Sequence, residues 1–284
     1  MRVAAVVVNY NAGAYLLDCV RSLHGAGLDT VVVADNASTD SSLADLKRAE
    51  PWVTIVETGA NYGYGGGVNR GAAALAPDAA DVLLVCNADI VVEPSAVKAL
   101  VAALEADVQL GIVGPRIDNT DGTLYPSARI VPRPLDAAGH AFLGLVMPNN
   151  RFTRRYRLLD WDHASPRRVD WVSGACFAIR RDLFDRLGGF NEDYYMYLED
   201  IDLCHRAGVL GAGVGYDPAA RVIHEGGVST RQLPYRMLAE HHRSVLRFWW
   251  SSHTWPTRAV FPFVALGMGV RLVLSVLARS LRRS

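Results

Sequence analysis

The stretch Val82-Leu83-Leu84-Val85-Cys86-Asn87-Ala88-Asp89 decides how this chain folds. Five apolar residues in a row, with no polar alternation, describe a strand covered on both faces, as in a parallel sheet packed between helices. The run stops at Asn87-Ala88-Asp89. Open parallel sheets bind their ligands just outside the carboxyl ends of the strands. A carboxylate beside an amide at that edge suits a divalent cation, because Mg²⁺ and Mn²⁺ are commonly held by one or two carboxylates together with substrate phosphates. The same three residues would also serve as an Asx turn closing the strand.

Outward from this strand, helical and strand patterns alternate. Residues 3–8 are an apolar strand, and Tyr15, Leu16, Cys19, Val20 and Leu23 follow at helical spacing until Gly25 and Gly27. Residues 30–34 are a second strand, and the cap-rich segment 35–40 opens a short helix to about Ala49. Residues 53–56 are a third strand. A glycine-rich loop, 61–67, leads into an alanine-rich helix near 68–76, and Pro94 begins another helix after the fourth strand. This order predicts a doubly wound, mostly parallel α/β sheet over roughly the first 115 residues.

After Gly114-Pro115 the pattern breaks. Residues 118–168 mix turns, prolines and arginines, and are expected to form an insertion or a mobile lid. Residues 169–179 are strand-like and hold Trp171, Ser173 and Gly174. A helix over 180–187 ends at Gly188-Gly189. A helix over 199–207 opens with Glu199-Asp200, where acids suit the dipole, and a short strand at 222–223 ends at His224.

The 284 residues, half of them hydrophobic, leave room for one large α/β domain and an appendage. Cys19, Cys86, Cys176 and Cys204 are scattered and read as reduced, buried thiols. The first apolar run is too short for a signal peptide, which predicts a cytoplasmic protein. Net charge is zero but unevenly spread. Residues 231–284 carry nine arginines and one acid, Glu240, hence +8 against −8 for the rest. That tail is Trp-rich and apolar between its arginines, which favours a membrane surface over nucleic acid as partner. Residues 259–278 are apolar apart from Arg271 and Ser275, preceded by Trp249, Trp250 and Trp255 and followed by Arg279, Arg282 and Arg283. We expect an interfacial helix there, with a helix packed on the domain as the alternative.

Four constellations carry candidate chemistry. Asp35 ends the second strand on the same sheet edge as Asp89, where it could accept from a nucleobase or ribose, or cap the next helix. Asn61 and Asn69 flank a glycine run that differs from a dinucleotide fingerprint, because the first strand is followed instead by Asn9-Tyr10-Asn11. Glu199-Asp200 follows Tyr194-Tyr195-Met196-Tyr197-Leu198. A carboxylate partly desolvated by aromatics is how a general base is tuned, whereas an isolated acidic pair merely compensates a helix dipole. His224 could complete a metal site or touch a diphosphate if it converges on Asp89.

In these residues the chain resembles family 2 glycosyltransferases of the GT-A fold, particularly the bacterial rhamnosyltransferase-like branch that acts on polyprenyl-diphosphate-linked sugars. The carriers are Val8-Asn9-Tyr10-Asn11, the segment Asp35 to Asp40, Asn61-x-Gly-x-Gly-x-x-x-Asn69, Asn87-Ala88-Asp89, Trp171 to Ala175, Glu199 to Leu203 and His224-x-Gly-Gly-x-Ser229. They run in the family's order over about four fifths of the chain. The resemblance implies that Asp35 contacts the base, Asp89 ligates the metal, Asp200 is the catalytic base, and His224 supports the metal or diphosphate. The family's metal motif is often Asp-x-Asp, and Asn87 holds its first position here, so the site would be completed by substrate.

The expectation is an inverting glycosyltransferase that uses Mg²⁺ or Mn²⁺ and a nucleotide-diphosphate sugar. Asn9, Asn11, Asp35, Asn61, Asn69, Asn87 and Asp89 would lie on the donor side. Trp171, Ser173, Gly174 and His224 would lie on the acceptor or diphosphate side. Asp200 with Glu199 would supply the catalytic carboxylates, and Asp89 with His224 the metal ligands. The resemblance favours dTDP-rhamnose over a UDP-sugar and implies a polyprenyl-diphosphate-linked saccharide acceptor. The catalytic domain is expected over 1–230, divided into a nucleotide-binding half (1–115) and an acceptor half (116–230), with a tail (231–284) that holds the enzyme peripherally on the inner face of the cell membrane. The rivals are a Rossmann-type oxidoreductase, disfavoured by the missing fingerprint, and a non-catalytic nucleotide-sugar-binding protein of the same fold.

Overall fold

A computed structural model describes residues 1–131, 134–144, 146–228, 234–252 and 257–281. Ser229, Arg231, Trp255, Arg282 and Arg283, and the side chain of Arg279, to which the sequence reading gave parts, lie outside the described residues.

Strands β1 (Val3–Asn9), β2 (Val31–Asp35), β3 (Thr54–Glu57) and β4 (Val82–Asn87) form a parallel block in the spatial order β3-β2-β1-β4. The order reverses between β1 and β4, and the crevice at such a switch point is where doubly wound sheets receive ligands. Beyond β4 come β11 (Cys176–Arg180), antiparallel to both neighbours, then β6 (Leu110–Asn119), β12 (Gly213–His224) and β5 (Ile90–Val92). The sheet is therefore mixed but mostly parallel.

Register places the site. Val8 pairs with Asn87 and Asn9 with Asp35, so the carboxyl ends of β1, β2 and β4 are level. His224 pairs with Ile90, one residue beyond Asp89. Strand parity sorts the core. Ala5, Val7, Leu84 and Cys86 face helices α1 (Tyr15–Gly25) and α4 (Ala96–Ala106), while Ala4, Val6, Val8, Leu83 and Val85 face the opposite layer. All four cysteines are buried and free.

Two expectations change. The glycine-rich segment is the start of helix α3 (Gly63–Ala73), not a loop. A Cβ at Gly71 would lie 2.6 Å from Val6 Cγ1, and one at Gly67 would lie 2.8 Å from Val8 Cγ1, so the glycines let α3 lie directly on β1. Residues 169–179 are not one strand. They divide into β9 (Arg167–Val169), β10 (Trp171–Val172) and β11, broken at Ser173-Gly174. β10 leaves the main sheet to pair with β8 (Ala128–Arg129).

Segment 118–168 carries β7 (Leu124–Tyr125), β8, and helices α5 (Pro134–Leu143) and α6 (Arg151–Tyr156). Helix α7 (Arg181–Leu187) precedes α8 (Glu199–Val209), and the chain continues through α9 (Pro234–Ser252) and a 3₁₀ turn into α10 (Phe261–Leu281). The charged tail divides in two. α9 packs on the domain, with Met237, His242 and Ser244 buried and Ser244 Oγ donating to Met196 O at 2.9 Å. α10 exposes Phe263 (75%), Leu266 (69%) and Val273 (58%). The stretch Arg258–Val276 has mean hydropathy 2.0 and is 6% buried, so by length and composition it is able to cross a membrane.

Candidate active site

A cavity of about 330 Å³ opens at the carboxyl ends of β1 and β4. Asn61, Asn87, Asp89, Trp171, Ser173, Gly174, Glu199, Asp200 and His224 all line it. Residues from β4, β10, α8 and β12, far apart in sequence, thus meet in one cavity.

Asp89 and His224 form the centre of the donor edge. His224 Nε2 lies 3.1 Å from Asp89 Oδ1 and 3.3 Å from Asn87 Nδ2. Burial alone would raise the Asp89 carboxyl, but the hydrogen bond and charge of His224, with the Val228 amide, outweigh it and hold the group below the usual carboxylate range. The pair fits a divalent cation. A carboxylate oxygen and an imidazole nitrogen 3.1 Å apart are spaced like neighbouring ligands on an ion with bonds of ~2.1 Å. Among the described residues no third His, Cys, Asp or Glu joins them, so substrate or water would supply the remaining ligands.

The opposite wall carries Asp200 and Glu199. Tyr197 and Leu198 both adopt positive φ, +68° and +63°, a conformation that costs about 1–3 kcal/mol per non-glycine residue. These two residues turn the chain into α8 so that its first turn faces the cavity. Asp200 Oδ2 accepts from Gly174 N at 2.9 Å and Oδ1 accepts from Ile201 N at 2.9 Å. Burial pushes the Asp200 carboxyl up, and these two amides and the charge of Arg129 oppose the rise without cancelling it. Glu199 is more deeply enclosed, and its Oε2 has no hydrogen-bond partner. Burial, then the charge of Asp200, drives its carboxyl well above the ordinary range. Both acids are thus desolvated at the start of α8.

Gly174 connects this wall to α3. Its carbonyl accepts the Tyr64 hydroxyl at 2.5 Å. Gly63, at φ +76°, lets α3 begin against the same loop, since a Cβ there would lie 2.0 Å from Tyr195 O. Ser173 Oγ accepts the Ala175 amide at 3.3 Å, and Asn61 Oδ1 accepts the Gly63 amide at 2.9 Å. Trp171 is buried on the wall with its indole N–H unpartnered.

Four expected donor residues do not line the cavity. Asn9 Nδ2 donates to Asp35 Oδ1 at 2.8 Å and to Ser42 Oγ at 2.9 Å. Asp35 also accepts from Ser38 Oγ at 2.6 Å and Ser38 N at 3.0 Å, and is 3% exposed. The cap-rich segment supplies the strand-end carboxylate with its own partners. Asn11, at φ +50°, accepts from Thr39 N at 2.7 Å. Asn69 faces away and exchanges hydrogen bonds with the Phe190 backbone at 2.9 and 2.8 Å. Asn36 lines the cavity instead, bonded to Gly63 O at 2.8 Å.

The sequence reading also missed a group on the wall. Arg129 stands 4.8 Å from the Trp171 ring centroid and 5.7 Å from those of Tyr125 and Tyr156, and its Nε donates to Pro126 O at 2.8 Å. Segment 118–168 shows no periodicity, and only the Tyr125 and Arg129 spacing hinted at a stacked cation. From α9, Met237 and His241 complete the wall.

Residues 4–188 match the sequence profile described as glycosyl transferase family 2. The chain is 37% identical to an N-acetylglucosaminyl-diphospho-decaprenol L-rhamnosyltransferase of Mycobacterium tuberculosis (strain ATCC 25618 / H37Rv), over 98% of this chain and 95% of that one. Among solved structures it superposes on the mannosyltransferase PcManGT from Pyrobaculum calidifontis, in complex with GDP-Man and Mn²⁺, with TM-score 0.60 and 17% identity, covering 98% of this chain and 75% of that one. It also superposes on GalNAc-T7 with UDP, GalNAc and Mn²⁺, with TM-score 0.58 and 18% identity, over 78% of this chain and 43% of that one.

Proposed function

The chain belongs to glycosyl transferase family 2 and has the GT-A fold, and from that premise we propose that it moves rhamnose from dTDP-rhamnose, with inversion, to a polyprenyl-diphosphate-linked saccharide. The observation that carries this reading is the meeting of Asp200 and the Asp89–His224 pair in one cavity at the sheet's carboxyl edge. Asp200 removes the proton from the acceptor hydroxyl. The oxygen attacks the anomeric carbon on the face opposite the nucleotide, and the bond to the departing nucleoside diphosphate breaks. A divalent cation, Mg²⁺ or Mn²⁺, held by Asp89 and His224 would offset the charge on that diphosphate. Asn36 and Asn61 flank the donor side, and Asp35 with Asn9 braces that edge from beneath. Trp171 and Gly174 hold the acceptor side. Much of the rate comes from fixing donor and acceptor in line.

In this reading residues 1–230 are the catalytic unit, with 1–115 on the nucleotide side and 116–230 on the acceptor side. α9 closes the cavity and α10 rests on the cytoplasmic membrane surface. The relative's lipid-linked acceptor and the exposed apolar face of α10 support it.

The test is product formation with a panel of dTDP- and UDP-sugars, with and without Mn²⁺, on a polyprenyl-diphosphate-linked N-acetylglucosamine. Rhamnosyl product that requires metal supports the proposal. A UDP-sugar preference would reassign the donor. Nucleotide-sugar binding without turnover would make the protein a non-catalytic binder.

A further inference from the structure

The structure holds a cationic cluster whose members take no part in the reaction above, apart from the charge that Arg129 exerts on Asp200. Arg129 of β8, Arg157 just after α6 and Arg271 of α10 gather near His140 of α5: the His140 ring lies 4.7 Å from that of Tyr156, the residue before Arg157, Arg129 lies 5.7 Å from the same Tyr156 ring, and Arg271 bonds the carbonyl of Ala141, next to His140. Burial, then the charges of Arg157, Arg271 and Arg129, pull this imidazole down to about 4. His241 on the cavity wall is pulled down to about 4 as well, by burial and then by Arg271, His242 and His140. Arg271 enters from the tail helix, its Nε donating to Ala141 O at 2.8 Å and its Nη1 lying 3.0 Å from His242 Nε2.

Asp200 acts on Arg129 through its charge, but among the described residues the cluster has no paired anion. Nearby arginines are paired, Arg154 with Asp160 and Arg155 with Asp136, but among the described residues Arg129, Arg157 and Arg271 form no ion pair with a carboxylate. Arg157 Nε is buried and has no hydrogen-bond partner. Like charges gathered in half-buried positions, with an orphan buried donor, are costly until an anion completes them.

The surroundings specify which anion. On one side the cluster joins the cavity through Arg129 and His241. On the other it joins an apolar surface, where the Phe142 ring of α5 lies 3.4 Å from a Cβ built at Gly267 of α10. Phe142 itself is exposed, as are Val146 and Met147 just after α5 and Phe263 and Leu266 on α10. A sugar in the cavity, a charged linkage at the arginines and a hydrocarbon chain on the apolar face follow the layout of a prenyl-diphosphate sugar. Arg guanidinium groups bind such oxyanions with paired, charge-assisted hydrogen bonds.

We propose that Arg129, Arg157 and Arg271 form the binding site for the diphosphate of the lipid-linked acceptor, separate from the nucleotide diphosphate at Asp89 and His224. The assignment rests on the acceptor reading above and names the residues that recognise it.

The test is calorimetric titration with farnesyl diphosphate and with its uncharged twin farnesol, both under saturating dTDP to block the nucleotide side. The wild type should bind the diphosphate at least about tenfold more tightly than the alcohol. Arg157→Gln and Arg271→Gln should each remove most of that preference, and Arg157→Lys should keep part of it. Thermal melting and dTDP affinity report whether each variant is folded. If Arg157→Gln fails to fold, Arg271→Gln and Arg157→Lys carry the comparison. Equal wild-type affinity for diphosphate and alcohol, or undiminished affinity in the glutamine variants, overturns the site. Sedimentation with phosphatidylglycerol vesicles should be unchanged by Arg157→Gln. A fall in step with farnesyl diphosphate affinity would make the cluster a headgroup site and overturn the proposal. Sugar transfer is scored separately. Transfer to the lipid-linked acceptor that survives loss of these arginines leaves the proposed reaction intact, whereas diphosphate binding without any transfer overturns the reaction and leaves the cluster standing.

Discussion

Replacing Asp200 with asparagine tests the catalytic assignment most directly. Both oxygens of Asp200 accept a backbone N–H, from Gly174 and from Ile201, each at 2.9 Å. Asparagine has a single acceptor oxygen. In either orientation its NH₂ group therefore faces an N–H, and leaving that donor unpaired costs about 1–3 kcal/mol. Removing the Asp200 charge, which burial disfavours, offsets part of this. For a chain of this size we expect a fall in Tm of a few degrees, at ~2–4 °C per kcal/mol. Losing a general base is far larger, about 10²–10⁴ in rate, or ~3–5 kcal/mol in the barrier. The assay is single-turnover rhamnosyl transfer well below Tm, with donor affinity from calorimetry. Transfer should fall by about a hundredfold or more while donor Kd stays unchanged. Glu199→Gln is the companion variant. Its Oε2 makes no hydrogen bond to lose, so transfer should survive. Wild-type turnover in Asp200→Asn, or a dead Glu199→Gln beside a live Asp200→Asn, refutes the assignment.

Other expectations follow from the same geometry. Glu199 has a raised carboxyl in the folded state, so its contribution to stability is full below the unfolded carboxylate value near 4.5 and is lost as pH rises toward the folded value. Glu199→Gln should therefore lose less Tm than wild type between acid and neutral pH, and parallel Tm curves would contradict that origin. Asp89→Ala should abolish metal-dependent nucleoside diphosphate binding, read by titration with and without Mn²⁺, and unchanged affinity and metal dependence would remove Asp89 from the metal site. Phe263→Asp combined with Leu266→Asp, both on the exposed face of α10, should release the protein from anionic vesicles without weakening donor binding. Equal sedimentation of variant and wild type would rule out α10 as the membrane contact.

The donor edge was legible where a single strand end carried the signal. Asn87-Ala88-Asp89 follows an unbroken apolar strand, and Asp89 lines the cavity. Glu199-Asp200 was legible because three tyrosines before a helix start are hard to reconcile with a solvated face. Asp35 has a strand end that looks the same as that of β4, but the cap-rich residues after it bond its oxygens locally and it does not line the cavity. The glycine run misled because close packing of a helix on a strand and a loop around a ligand ask for the same residue. Arg129 and His241 were hidden in segments whose periodicity is weak or was read as a separate tail.

What the sequence determined by itself was local. Hydrophobic periodicity set the strands and helices of the first 115 residues, the order β-α-β-α set a parallel sheet, and the charge and apolarity of the last 54 residues marked a segment of different character. Only the tertiary structure decided which of those ends meet. Asp89 reaches His224 across 135 residues because β5 pairs with β12, and Asp200 reaches Gly174 because the chain breaks between two sheets at that point. It also decided that α9 joins the cavity while α10 keeps its apolar face outward. Periodicity depends on neighbours three or four residues away, whereas pairing and burial depend on surfaces that come together only when the whole sheet closes, so the site's geometry could not be read until it had.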